Sequence, residues 1–246
     1  TCALWLAHAA PAGALELLPN GKFDASLDSW SWCCGGTGTV AFDTHDANGS
    51  THSGSARLTH TAPPVNGQQY LFVSHCLSGP AIQPGAHTFY GAKVRFAAHE
   101  SSQGSTRLWA EFRGTTDCTG DSIGAVSSDP VQAADGRGLW LPLQLGGPGA
   151  GVASPPGTKS VWMGVWVTMT VGTKLTLNVD DVFAAPVGTP MCGGMPATIV
   201  GTSSPEIIAG TAASDVIVGL GGADQIDGKG GNDIICGNGG DDTLDG

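Results

Sequence analysis

The sequence predicts an all-β protein: a jelly-roll β-sandwich followed by a parallel β-roll of nonapeptide repeats. Between residues 15 and 186, short apolar or alternating runs recur, separated by Gly, Pro, Ser and Asn clusters. That spacing belongs to sandwiches of many short strands. From Gly201 onward glycine returns at every ninth position, and a fixed short period marks a coil of stacked repeats. No segment of useful length carries a helical period.

Eight strands are expected in the first part: Thr39–Asp43, Ala56–His60, Tyr70–Leu77, Thr88–Phe96, Thr106–Arg113, Leu139–Leu145, Val161–Thr170 and Lys174–Ala184. Residues 187–197 hold Pro190, Gly193, Gly194 and Pro196 and read as a linker to the repeats at 198–246. At the other end, Ala3 to Ala10 is apolar except for His8, and Ala12-Gly13-Ala14 has a small-residue cleavage pattern. Residues 1–14 therefore read as the remnant of a secretory signal peptide, which predicts a secreted, extracellular chain. The sequence has no initiator Met and stops at Gly246, where a repeat should open, so it reads as a fragment. No run is long and apolar enough for a membrane span.

The repeat is regular in three ways. Glycine falls at 201, 210, 219, 228, 237 and 246. Five positions after the first five glycines stands an acid: Glu206, Asp215, Asp224, Asp233, Asp242. Seven positions after them stands an aliphatic: Ile208, Ile217, Ile226, Ile235, Leu244. The later repeats add Gly221-Gly222, Gly230-Gly231 and Gly239-Gly240. This pattern resembles the repeat-in-toxin, or haemolysin-type, nonapeptide GGxGxDxUx, which forms a calcium-binding β-roll. Its second glycine is replaced here by Leu220, Lys229 or Asn238, and the first two repeats are degenerate.

Each nonapeptide can make a glycine turn followed by a three-residue strand. The turn brings carbonyl oxygens beside one carboxylate, and calcium takes six to eight oxygens. The backbone turns at Gly219, Gly221, Gly228, Gly230, Gly237 and Gly239 would supply carbonyls. The resemblance implies that two nonapeptides complete one coil, so a metal lies between repeats i and i+2. Asp215 then pairs with Asp233, Asp224 with Asp242, and Glu206 with Asp224. One aliphatic per nine residues is too thin a core to offset backbone ordering of about 1–2 kcal/mol per residue, so the roll is expected to fold on calcium.

In the first part, Asn20-Gly21-Lys22-Phe23-Asp24, Gly54-Ser55-Ala56-Arg57-Leu58, Pro84-Gly85-Ala86-His87-Thr88-Phe89 and Asp180-Asp181-Val182 occur in that order. This resembles carbohydrate-binding modules of the galactose-binding-like jelly-roll type, with Asp24 in place of the usual Glu. The resemblance implies a polysaccharide or cell-surface glycan as ligand, and a structural calcium held by Asp24 and Asp181. Sugars stack on exposed aromatic faces. Trp109 stands among charges, opposite Leu108, Ala110 and Phe112. Trp140 stands opposite Leu139, Leu141, Leu143 and Leu145. Trp162 and Trp166 share one strand face; they either line a groove or fill the sandwich.

Charge and cysteine narrow the partners. The net charge is −11, of which −7 falls in residues 201–246, so the chain will not track a nucleic-acid backbone. Beyond Cys2 there are six cysteines, an even number suited to disulfides. Cys236, beside the inward Ile235, should face outward and bridge Cys192, leaving Cys33, Cys34, Cys76 and Cys118 to pair within the β domain. Catalytic motifs fail on order and spacing. Gly120-Asp121-Ser122-Ile123-Gly124 has no later His, and His99-Glu100 lacks a second His. The expectation is a non-enzymatic, secreted calcium-binding protein with a glycan-binding module. The alternatives are an accessory fragment of an extracellular polysaccharide-degrading hydrolase and a structural adhesin module.

Overall fold

A computed structural model describes residue 23 and residues 26–34, 38–49, 53–61, 70–79, 82–147 and 149–246. The signal-peptide reading and Asp24 lie outside the described residues, as do the Cys33 and Cys34 side chains. The described residues contain no helix. They form two compact units, one ending at Gly188 and the other running from Thr189 to Gly246.

The first unit is a two-sheet sandwich. Sheet one is ordered β1 (Ser31–Cys34), β4 (Tyr70–Ser78), β11 (Ser160–Val171), β6 (Gln103–Arg113), β7 (Ser122–Ser127), with β8 (Val131–Gln132) also on β6. Sheet two is ordered β10 (Val152–Ala153), β5 (His87–Phe96), β12 (Leu175–Pro186), β3 (Ser55–His60), β2 (Gly38–Asp43), with β9 (Leu141–Leu145) also on β5. All pairings are antiparallel. Successive long strands β3, β4, β5 and β6 alternate between the sheets, as do β11 and β12. This is the jelly-roll sandwich expected from the sequence, its strand spacing having pointed to a sandwich and the module resemblance to a jelly roll.

Alternation decides which side chains enter the core. Leu71, Val73, Leu108, Phe112, Val161, Met163, Val165 and Val167 of sheet one face Leu58, Val94, Phe96, Leu177 and Val179 of sheet two, all buried. Each such side chain contributes about 1.5–3 kcal/mol on burial. One expected strand starts later than its pattern suggests. Leu139 lies before β9 and is 63% exposed, whereas Leu143 and Leu145 are buried.

The second unit is the parallel roll. Strands β15 (Ile199–Val200), β17 (Val216–Val218) and β19 (Ile234–Cys236) stack in one sheet. Strands β16 (Ile207–Ala209), β18 (Gln225–Asp227) and β20 (Thr243–Asp245) stack in the other. The registers Ile199↔Ile217↔Ile235 and Ile208↔Ile226↔Leu244 step by two repeats, so repeats i and i+2 are neighbours. Ile208, Ile217 and Ile226 are buried between the sheets, with Ile199 and Ile235 packed against them.

The segment read as a linker contains a hairpin, β13 (Met191–Cys192) with β14 (Met195–Pro196), which contacts β17 and β19. Cys192, Met195, Val216 and Val218 are all buried. A disulfide joins Cys192 to Cys236, and a second joins Cys76 to Cys118.

Candidate functional site

The repeat turns build a ladder of carboxylates. Asp215 N donates to Asp233 Oδ1 (2.8 Å), Asp224 N to Asp242 Oδ1 (2.9 Å), and Glu206 N to Asp224 Oδ1 (2.9 Å). Each acid thus meets the acid two repeats away, as the sequence pairing expects. The second carboxylate oxygens divide into two kinds. In the degenerate repeats a threonine closes them: Thr211 N and Oγ1 donate to Asp215 Oδ2 (2.7 and 2.8 Å), and Thr202 N donates to Glu206 Oε2 (2.5 Å). In the regular repeats Leu220, Lys229 and Asn238 occupy that place with φ near +70°. There Asp224 Oδ2 and Asp233 Oδ2 are buried and accept no hydrogen bond. A buried charged oxygen without a partner is costly, and a hard cation would remove the cost.

The backbone is packed to fit this ladder. A side chain on Gly219 would meet both Asp224 Oδ2 and Gly237 O at 2.8 Å. Carboxylate and carbonyl oxygens therefore converge where glycine leaves space. No group of three or more His, Cys, Asp or Glu side chains converges among the described residues. Any metal here is held by one or two carboxylates plus carbonyls, the donor set calcium accepts.

The outer face of sheet one carries a second arrangement. Tyr70 and Phe72 on β4, Trp109 on β6, and Trp162 and Trp166 on β11 project away from the core on adjacent strands. Trp109 stacks on Trp166 (5.7 Å, 14°) and meets Trp162 edge-on (5.5 Å). Phe72 meets Trp109 and Trp162 edge-on, at 5.6 and 5.9 Å, and Tyr70 lies 5.8 Å from Trp166. Gly164 makes the floor: a Cβ there would stand 2.4 Å from the Trp109 ring. Trp109 is consequently only 7% exposed, although it lies outside the core. Its neighbours Trp162 and Trp166 are partly exposed and Tyr70 is 39% exposed. Arg113 covers one end, its guanidinium 5.4 Å from the Trp162 ring and paired with Glu111 at 2.9 Å. Trp140 immediately precedes β9 of sheet two and does not share this face.

Residues 200–235 and 209–244 match the family model of the RTX calcium-binding nonapeptide repeat. The C-terminal roll is an RTX repeat array. No curated protein matches the chain by sequence. Among solved structures, the xylan-binding domain from CBM 22 is 16% identical with a TM-score of 0.51, covering 74% of this chain and 100% of that one. The enzymatically active domain of bacteriophage CBA120 tailspike protein 4 is 17% identical with a TM-score of 0.51. That match covers 70% of this chain but only 21% of the tailspike chain. The chain's sandwich has the fold of carbohydrate-binding jelly-roll modules.

Apart from the RTX array, the jelly roll holds buried carboxylates of its own. Asp181, in the left-handed region at φ 47°, accepts from Asn48 Nδ2 at 3.0 and 3.2 Å and pairs with Lys93 Nζ at 2.7 Å. Asp180 accepts from Ala47 N (2.7 Å) and Asp181 N (2.7 Å). Burial, then the adjacent Asp181 carboxylate, pushes Asp180 up to about 8. The chain thus supplies a cation, Lys93, at the position where the family resemblance implies a metal.

Two features of the sites escape the sequence reading. Phe72 and Tyr70 complete the aromatic face, yet each lies in an ordinary apolar run. From residue 216 on, the roll's two sheets differ in strand composition: Val216-Ile217-Val218 and Ile234-Ile235-Cys236 are apolar throughout, whereas Gln225-Ile226-Asp227 and Thr243-Leu244-Asp245 alternate; the earlier Ile207-Ile208-Ala209 of the second sheet is apolar too, with Ile207 82% exposed. That contrast signals a covered outer face on the first sheet, and the β13–β14 hairpin lies there.

Proposed function

We propose that the chain is a secreted glycan-binding protein whose RTX roll folds on calcium. The observation that carries the calcium reading is the pair of buried, partnerless oxygens Asp224 Oδ2 and Asp233 Oδ2. Asp224 with Asp242, and Asp233 with Asp215, would hold calcium together with turn carbonyls at Gly219, Gly221, Gly228, Gly230, Gly237 and Gly239. Bound calcium would supply the charge that the ladder lacks, so binding and folding become one event. Glu206 and Asp215 are partly closed by threonine and contribute less. Asp181, already paired with Lys93, would contribute to a structural calcium only by giving up that ion pair.

The glycan reading rests on the aromatic face. Trp162 and Trp166 offer ring surface for the apolar faces of pyranosides, on a floor fixed by Trp109 and Gly164. Trp140 stands outside this surface. Two disulfides and external calcium both suit an oxidising extracellular setting. The CBM 22 domain of the same fold binds xylan, so xylo-oligosaccharide is the first probe. Calorimetric titration with xylohexaose should show binding that Trp166→Ala abolishes, and wild-type chain inert to every neutral oligosaccharide tried would refute the glycan reading. A second reading, an accessory part of a larger polysaccharide-degrading protein, draws on the tailspike domain, where the same fold is one fifth of a longer chain.

A further inference from the structure

The outer face of sheet two holds a cleft of about 560 Å³, on the side of the sandwich away from the aromatic face. That volume lies in the range of small-molecule sites. Its floor is polar because the outward positions of three adjacent strands are polar. Arg57 on β3 pairs across to Asn178 on β12, and Asn178 pairs across to Arg95 on β5. Thr59 and Thr176 form the next row. Asp43 and His45 stand at one rim, and residues 97–100 with Lys174 at the other.

The charges do not cancel. Asp43 accepts from His45 Nδ1 (2.7 Å) and pairs with Arg57 (3.0 Å). Glu100 accepts from Thr176 N (2.6 Å) and Oγ1 (2.8 Å) and pairs with Lys174 (3.2 Å). Both acids of the cleft are therefore taken. Arg95 donates from Nε to Gly138 O (2.9 Å) and has no carboxylate partner among the described residues. A part-buried guanidinium thus stands in excess, in a chain whose net charge is −11. Indiscriminate attraction of polyanions is disfavoured by that net charge, so an anion is drawn to this cleft only by local groups.

We propose that the cleft binds an acidic sugar unit, a uronate whose carboxylate docks on Arg95. The guanidinium fork matches a planar carboxylate. Arg57 and Lys174, by neutralising Asp43 and Glu100, keep those carboxylates from repelling the incoming anion. Thr59 offers a hydroxyl to the sugar ring beside it. The module then has two binding faces of different chemistry: rings for a neutral chain on sheet one, and a cationic cleft for an acidic unit on sheet two.

The test is calorimetric titration of the full chain with trigalacturonate at low salt, beside neutral xylohexaose and a sulfated trisaccharide. Wild type should bind trigalacturonate. Arg95→Gln should lose about tenfold or more, the effect of one charge-assisted hydrogen bond. Lys174→Gln, at an exposed rim position, should weaken binding without touching the fold. Trp166→Ala should keep trigalacturonate binding, so failure here is separable from failure of the aromatic face. No binding of trigalacturonate, or binding unchanged in both cleft variants, overturns the proposal. Tighter, Arg95-dependent binding of the sulfated trisaccharide overturns its uronate assignment.

Discussion

At the scale of single residues, the molecule is organised by where carboxylates find partners. Asp224 is the most consequential. It is 1% exposed, its Oδ1 accepts from Glu206 N, its own N donates to Asp242, and its Oδ2 is partnerless. Asp224→Ala should therefore raise the calcium midpoint more than Glu206→Ala, whose carboxylate Thr202 already serves. Equal shifts in a calcium titration would contradict the ladder. Asp43 behaves differently. Burial works against its charge, but hydrogen bonds from the His45 side chain and backbone and from Asn178 outweigh burial and hold its carboxyl below the usual range. A depressed folded pKa adds stability above the unfolded value of about 3.9 that is lost as pH falls through the folded value. Asp43→Asn should thus lower the denaturation midpoint at neutral pH and flatten its acid limb, read from urea melts across pH. The acids were legible in the sequence because their period is strict, and their two-repeat pairing followed from the family resemblance. Threonine closure of the degenerate repeats was not, since it depends on where a backbone N–H points.

At the scale of elements, the nine-residue turn and its glycines set what the roll tolerates. Gly240 has φ +127°, and a Cβ there would collide with Gly222 O at 1.6 Å. Gly230 has no atom within 4 Å of such a Cβ. Gly240→Ala should therefore reduce the calcium-induced β signal, while Gly230→Ala leaves it near wild type. The hairpin is a second device. The Cys192–Cys236 bridge spans 44 residues of sequence, and loop closure of that length stabilises by about 4 kcal/mol on the chain-entropy estimate. Cys236→Ser should raise the calcium concentration needed for folding, measured by circular dichroism on the non-reduced chain. All eight strands expected in the sandwich are present, because each alternates or is β-branched. Strand β7 was missed, since Ser122–Ser127 is a largely exposed edge of which only Val126 packs against the core. The hairpin at 191–196 was read as linker because Pro and Gly dominate its composition.

At the scale of the whole molecule, one chain carries a stable sandwich and a thin, acidic roll. The sandwich has a large apolar core and a disulfide of its own. The roll buries only a row of isoleucines and a small apolar patch under the hairpin, and gathers carboxylates with orphaned oxygens. Calcium should therefore govern the roll and leave the sandwich folded. Periodicity in the sequence announced both folds, but the aromatic face required the structure: strand faces could be paired from alternation, while the choice between core and outer face for Trp162 and Trp166 depended on which sheet covers which. The most direct test of the account is a far-ultraviolet circular dichroism titration of the full chain with calcium, starting from chelator-treated protein. The account predicts a saturable gain of β signal on top of a constant sandwich signal, with a midpoint on the order of 10⁻⁴–10⁻³ M; a spectrum unchanged across that range would contradict it.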